Sequence, residues 1–410
     1  MSGALRENRT ARVANNTELN RSGNREGSAV VRFSGIFLSA RKLNQIGATV
    51  IMHLQEAESR LTCNIRSLEY NSLTQRDNRF ELYTMKLASL KAGGRDGTLM
   101  AVSRDLTRMT PATSVAATLQ QAIENWNAAS GKLQELANKL EAGSLEAQSY
   151  NPQLLASPLP RAYQWADGSA YLYHMRLVRK ARGAEMPPGA ETDPLMYQGG
   201  SDHFLAPTED IPCRDIDWGL DFEGEIAIIT DDVSTGCSSS DAAQHIKLVM
   251  LCNDISLRNI MKPELTKGFG FYQSKPASAF SPVCVTPDEL GNHWSGAKVN
   301  LPLETTYNGK QFGNVPAGKD LNFDFAELIA HAARTRELRA GTIIGSGTVS
   351  NTNHETVGSS CLAEKRMIEI IESGNPTTRF MQPGDTIKFQ MKDPSGQSIF
   401  GAIDQKVVQG

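Results

Sequence analysis

The apolar positions of this chain change texture along its length. Between Thr113 and Leu140, TSVAATLQQAIENWNAASGKLQELANKL repeats its hydrophobic residues at helical spacing and breaks near Gly131. That pattern predicts one or two amphipathic helices. Upstream, MKLASLKAGGRDGTLMAVSRDL starts at Met85 and predicts a strand, a glycine-rich turn and a second strand. The three prolines of PQLLASPLPRAYQW mark a linker, and beyond it come short β-rich runs punctuated by Gly, Pro and Asp. In DWGLDFEGEIAIIT, the block Ile226, Ala227, Ile228, Ile229 predicts a buried strand. In SSSDAAQHIKLVMLCNDIS the spacing predicts a helix, with Ser240 or Asp241 as its N-cap. The class that follows is α+β and β-rich. A small N-terminal α/β domain is expected over residues 85–160 and a larger β-rich domain over residues 161–410.

Residues 1–84 have another character. MSGALRENRTARVANNTELNRSGNREGS is polar, with little periodicity, and is expected to be disordered or poorly packed. Up to residue 42 there are eight Lys and Arg against three Glu, a balance that also fits a transit peptide. The strand-like restart at Met85 favours an appended segment instead, and a cytoplasmic location over a mitochondrial one.

Composition narrows the field. With 40% hydrophobic and 21% charged residues, a folded chain with a sizeable core is expected. A net charge of −3 gives no electrostatic case for nucleic-acid binding. No apolar run approaches the roughly 20 residues that cross a bilayer. The six cysteines show no CxxC spacing, so a reduced compartment is expected and structural zinc is not.

The chemistry concentrates in a few stretches. Glu223 and Glu225 stand at i and i+2 beside an apolar block, so on a strand both carboxylates face one way. Two like charges that close need a proton or a cation between them, unless the strand starts later and both are solvated. If the preceding helix continues through LCNDISLRN, Asp254 and Arg258 share one of its faces. Lys275 lies among aromatic, small and apolar residues, where it suits an anionic ligand or an oxyanion. Thr348 follows a glycine-rich turn whose backbone N–H groups suit an anion. WADGSAYLYH places His174 seven residues after Asp167. Taken singly, each has an ordinary structural explanation: a surface ion pair, a snorkelling lysine, a plain turn, a structural histidine.

As an ordered set they resemble the fumarylacetoacetate hydrolase family. The carriers are DFEGEIA, NDISLR about 30 residues on, a Lys before FSPVCVTPDELG, then GTIIGSGTVSN and PGDTIKF. The resemblance runs from about Met85 to the C-terminus and includes the small N-terminal domain of bacterial-type members. It implies a mixed β-sandwich roll that dimerises. It also implies a divalent cation held by Glu223, Glu225 and Asp254, with Asp167 as the fourth carboxylate, at the rim of the site. All-oxygen ligation suits Mg²⁺ or Ca²⁺, with Mn²⁺ also compatible, and no organic cofactor is implied. His174 stands at the position of the water-activating base, oriented by Glu364, with Glu355 a weaker match. Lys275 and Arg258 would stabilise the oxyanion and the departing carbanion. Tyr197, Thr348 and Arg179 resemble residues that hold substrate carboxylates. Met261 departs from the pattern, because the fumarylacetoacetases carry a glutamine there; Gln273 is the candidate to supply that amide. The implied reaction is hydrolytic carbon–carbon cleavage of a β-diketo acid, with fumarylacetoacetate of tyrosine degradation the best single substrate. Acylpyruvate hydrolysis, oxaloacetate decarboxylation and 2-oxo acid hydratase or isomerase work are the rivals on the same scaffold. A non-catalytic binding protein is the rival from another class.

Overall fold

A computed structural model of the chain describes residues 83–410, apart from 182, 184 and 187. The extension expected over residues 1–84 lies outside the described residues except for its last two. The N-terminal strands are β1 (Lys86–Leu90), β2 (Thr98–Val102), β3 (Arg108–Pro111) and β4 (Gln148–Ser149). Then come β5 (Trp165–Gly168), β6 (Met196–Gly199), β7 (Ile211–Cys213), β8 (Gly224–Thr230), β9 (Ile246–Asn253) and β10 (Cys284–Val285). The last are β11 (Pro302–Tyr307), β12 (Lys310–Pro316), β13 (Ile343–Gly345), β14 (Thr386–Lys392) and β15 (Ser398–Gln409). Five helices matter below: α1 (Leu119–Glu124), α2 (Trp126–Glu141), α3 (Leu172–Ala181), α4 (Arg258–Thr266) and α5 (Leu362–Ser373).

An eleven-stranded sheet runs β4-β3-β2-β1-β10-β9-β8-β13-β5-β6, with Ala279–Phe280 paired beside β9. A five-stranded sheet runs β12-β11-β14-β15-β7. Both are mixed, since β13 pairs parallel to β5 and β15 parallel to β7. This is the α+β, β-rich architecture expected, and the N-terminal strands extend the large sheet through the β1–β10 pairing.

Strand β8 shows why its sequence is an unbroken apolar block. All seven of its residues are buried. Ile226 and Ile228 pack into a core shared with Leu303, Phe389 and Ile403 of the second sheet. Ala227 and Ile229 pack with Leu119, Ile123 and Leu133 of α1 and α2 on the other face. A strand covered on both faces loses the alternation that a half-exposed strand keeps. Gly224 opens it because a Cβ there would lie 2.4 Å from the Phe389 ring.

Three local expectations need correction. The stretch expected as the clearest helix is a four-residue turn of helix, Ser239–Ala242, followed by strand β9. Its cap is Ser238, whose hydroxyl accepts from the Asp241 N–H. The run IKLVMLC is short and apolar throughout, so periodicity does not separate strand from helix, and antiparallel pairing with β8 decides. Asp254 and Arg258 therefore share no helix: Asp254 follows β9 and Arg258 opens α4. The break in the earlier helical pattern falls at Asn125 (φ −121°, ψ 33°), not Gly131. Gly131 sits inside α2 over open space, a placement that costs about 1 kcal/mol relative to alanine and is tolerated. No helix among the described residues is long and apolar enough to cross a membrane.

Candidate metal centre and active site

Strand register assembles the site. β13 lies between β8 and β5, with Gly345 opposite both Ala227 and Asp167. On the other side of β8, Cys252 of β9 stands opposite Glu225. The chain then leaves β9, and the Asp254 N–H donates to the Glu223 carbonyl at 3.0 Å. Four carboxylates from three separate segments of the chain thus meet at one end of the sheet.

Three of them form a tight group. Asp167, Glu225 and Asp254 each offer an oxygen, and these atoms lie within 4.8 Å of one another. Their exposures are 7%, 0% and 0%, so Asp167, expected at the rim, is a full member. Burial, then the Asp254 charge, pushes the Asp167 carboxyl up to about 8. Burial, then Asp167, pushes Glu225 well above the ordinary range. Asp254 is held by Lys275 Nζ at 2.5 Å, Tyr197 Oη at 2.6 Å and Ser278 Oγ at 2.8 Å. Asp167 accepts from the Gly347 N–H at 2.8 Å. This N–H of the glycine-rich turn is thus taken by one of the chain's own carboxylates. Gly347 has φ 74°, and a Cβ there would lie 2.3 Å from the Gly168 carbonyl oxygen. Neither oxygen of Glu225 has a hydrogen-bond partner among the described residues. A buried carboxylate without donors, facing two others, fits a hard divalent cation.

Glu223 does not belong to that group. Its oxygens accept from Arg258 Nη2 at 2.7 Å, Lys275 Nζ at 2.6 Å, Thr348 Oγ1 at 2.9 Å and Ser256 Oγ at 3.2 Å. Burial alone would raise its carboxyl, but Arg258 and then Lys275 outweigh that and hold it well below the usual range. Lys275 Nζ bridges Glu223 and Asp254, so the fourth carboxylate is separated from the trio by one ammonium. The same ammonium lies 5.0 Å from the Tyr197 ring centroid.

His174 enters from α3, and its Nδ1 lies 3.1 Å from Glu364 Oε2. Glu364 is fully buried in the first turn of α5. Glu355 lies apart, on the short helix His354–Val357. A ligand atom of His174 also lies within 4.8 Å of Glu223 and Cys361. A cavity of about 620 Å³ is lined by His174, Glu223, Glu225, Asp167 and Lys275, with Arg179, Tyr197, Thr348 and Met261 also on its wall. Gln273, expected to supply an amide, is not among the lining residues. It is exposed, and its backbone N–H donates to Glu264 at 2.7 Å.

Two buried residues escaped the sequence reading. Asp221 accepts from Arg258 Nε at 2.8 Å and from the Leu362 and Ala363 N–H groups, so it ties Arg258 to the start of α5. Its signal was available as the first acid of the alternating Asp221, Glu223, Glu225. Ser278, on Asp254, had no comparable signal.

Comparison with known proteins places this geometry in a class. Residues 164–408 match the model of the fumarylacetoacetate (FAA) hydrolase C-terminal domain, and residues 85–161 match fumarylacetoacetase N-terminal domain 2. The chain belongs to the fumarylacetoacetate hydrolase family. It is 31% identical over 134 residues to oxaloacetate tautomerase YisK of Bacillus subtilis, covering 32% of this chain and 41% of that protein. It is 27% identical over 199 residues to fumarylacetoacetase of Oryza sativa subsp. japonica, covering 41% and 45%. The matches thus span less than half the length of these relatives. In fold it is similar to maleylpyruvate hydrolase of Sphingobium sp. SYK-6, crystallised with manganese(II) and pyruvate. That likeness has a TM-score of 0.52 at 17% identity and covers 80% of this chain and all of the other.

Proposed function

We propose that this protein is a metal-dependent hydrolase that cleaves a carbon–carbon bond in a β-diketo acid. The observation that carries the reading is His174, held by Glu364, on the wall of the same cavity as Asp167 and the donor-free Glu225. Asp167, Glu225 and Asp254 would hold Mg²⁺, Ca²⁺ or Mn²⁺, and Glu223 would fix Lys275 and Arg258 beside the ion instead of ligating it. The ion, when bound, supplies Lewis acidity to a chelated dicarbonyl. His174 takes a proton from water, and Glu364 fixes the ring so that the base stays aimed into the cavity. Lys275 and Arg258, both inside the cavity, are placed to stabilise negative charge that builds on the attacked carbonyl and the departing carbon. Tyr197, Thr348 and Arg179 are the groups on hand for substrate carboxylates. A homodimer in the cytoplasm belongs to the same reading.

Tautomerisation of a 2-oxo acid is the second reading, favoured by the match to an oxaloacetate tautomerase. Enol–keto exchange moves protons and needs no water as nucleophile, so the two readings diverge at His174. The test is a panel of fumarylacetoacetate, acylpyruvates and oxaloacetate assayed with Mg²⁺ or Mn²⁺. Release of two acids from a diketo acid supports hydrolysis. Exchange or decarboxylation of oxaloacetate without any diketo cleavage overturns it.

A further inference from the structure

The two ends of the cavity differ in chemistry. Three helices line it, and each adds apolar side chains to the wall beyond the residue it contributes to the polar end. On α4, Arg258 is followed at i+3 and i+7 by Met261 and Leu265. On α3, Met175 and Val178 follow His174, and on α5 Met367 lies beyond Glu364. Phe380 closes the belt. Along α4 the step from Arg258 to Leu265 is about 10 Å, at roughly 1.5 Å per residue. Met261 marks the boundary, with its sulfur 3.9 Å from Arg258 Nη1. Leu265 is 47% exposed, so the apolar belt reaches the mouth.

A polar head that spans the carboxylates, Lys275 and His174 fills only the inner end. Sites of about 300–1,000 Å³ take ligands far larger than such a head. Three of the six belt residues are methionines, unbranched side chains that adapt to a flexible ligand. One of the charges beside the belt is already engaged. Arg366 donates to the Thr378 carbonyl and lies 4.2 Å from the Phe380 ring centroid. Arg179 and Lys262 line the cavity with long stems that can lie along apolar surface while their heads reach water.

We propose that the preferred substrate is a 2,4-dioxo acid whose C4 carbonyl carries an unbranched apolar arm of several carbons, received by the belt around Met261. This rests on the hydrolase reading of the same site. In the reaction, water adds to the C4 carbonyl and the C3–C4 bond breaks. The electron pair stays on C3, which takes a proton, so pyruvate leaves together with a fatty acid made of the arm plus C4 as its carboxyl carbon.

The test is a series of 2,4-dioxo acids with methyl, propyl, pentyl and heptyl arms, plus one pentyl-length arm that ends in a carboxylate. The wild-type chain is used with Mg²⁺, and both kcat/KM and calorimetric affinity are read. Each added methylene is expected to raise kcat/KM about fourfold while the belt lasts. Met261→Gln should lower the pentyl-over-methyl ratio about tenfold, the scale of a lost apolar contact in a pocket. Leu265→Ala, at the mouth, should lower the heptyl-over-pentyl step. A flat dependence on arm length overturns the proposal, and so does preference for the carboxylate-ended arm. If no dioxo acid is cleaved, the hydrolase reading fails by itself. Affinity that still climbs with arm length then upholds the apolar arm, and flat affinity sinks it too.

Discussion

Glu223 and Glu225 are the same residue type, two positions apart, with 5% and 0% exposure. Their electrostatic states are opposite. Glu223 is surrounded by Arg258, Lys275, Thr348 and Ser256, which hold it ionised. Glu225 has no donor among the described residues and faces Asp167 and Asp254. The difference separates two functions in one cage. A carboxylate already satisfied by side chains organises cations and positions them, whereas one left bare in a dry site invites an ion from solution.

The largest expected effect tests the water-activating side, where His174 approaches Glu223 rather than the bare trio. His174→Ala should lower kcat by about 10²–10⁴, the usual cost of losing a general base, while Mn²⁺ affinity stays unchanged. Glu364→Gln should show a milder loss, because it orients the ring without taking the proton. Near-normal kcat in His174→Ala would move the account to the tautomerase reading.

Stability should separate the two glutamates next. Glu223→Gln leaves Arg258 and Lys275 short of a buried counter-charge and should cost about 3 kcal/mol, with or without metal. Glu225→Gln should raise the melting temperature in EDTA, because a neutral amide replaces a crowded carboxylate, and should abolish the rise that metal produces in the wild type. Equal behaviour of the two variants would break the comparison.

A smaller effect sharpens it from outside the cage. Glu264 is another satisfied carboxylate, accepting from the Tyr272, Gln273 and Ser274 N–H groups and the Ser274 hydroxyl. Burial opposes its ionisation, but these donors prevail and lower its carboxyl to about 2. The folded value lies below the unfolded one of about 4.3, so the stabilisation is present above that pH and fades as pH falls toward 2. Glu264→Gln should therefore melt lower than wild type near neutral pH, and the gap should close in acid. A pH-independent gap would show that shape, not charge, matters at Glu264.

Much of this was legible before the structure, and the failures have physical causes. The block Ile226 to Ile229 announced a buried strand because both of its faces are covered. Residues 246–253 hid theirs because a short apolar run looks alike in helix and strand, and only pairing with β8 decides. Spacing brought Glu223 and Glu225 together on the page, yet donors supplied by Arg258, Lys275 and Thr348 come from 35 to 125 residues away. No local pattern reveals which glutamate they reach. Gln273 looked usable from sequence, and its placement outside the cavity depends on the loop that Glu264 ties down. The Met261 departure was visible at once. Its surroundings appeared only when Leu265, Met175 and Met367 were found lining the same cavity.

The central claim is that the bare trio, more than the satisfied Glu223, holds the ion. Its most direct test is Mn²⁺ titration followed by electron paramagnetic resonance on wild type, Glu225→Gln and Glu223→Gln, with no substrate present. The account predicts one tight ion per chain in the wild type, about 100-fold or greater loss of affinity in Glu225→Gln, and about tenfold loss in Glu223→Gln. Glu225→Gln binding Mn²⁺ as tightly as wild type, or Glu223→Gln losing more affinity than Glu225→Gln, would contradict it.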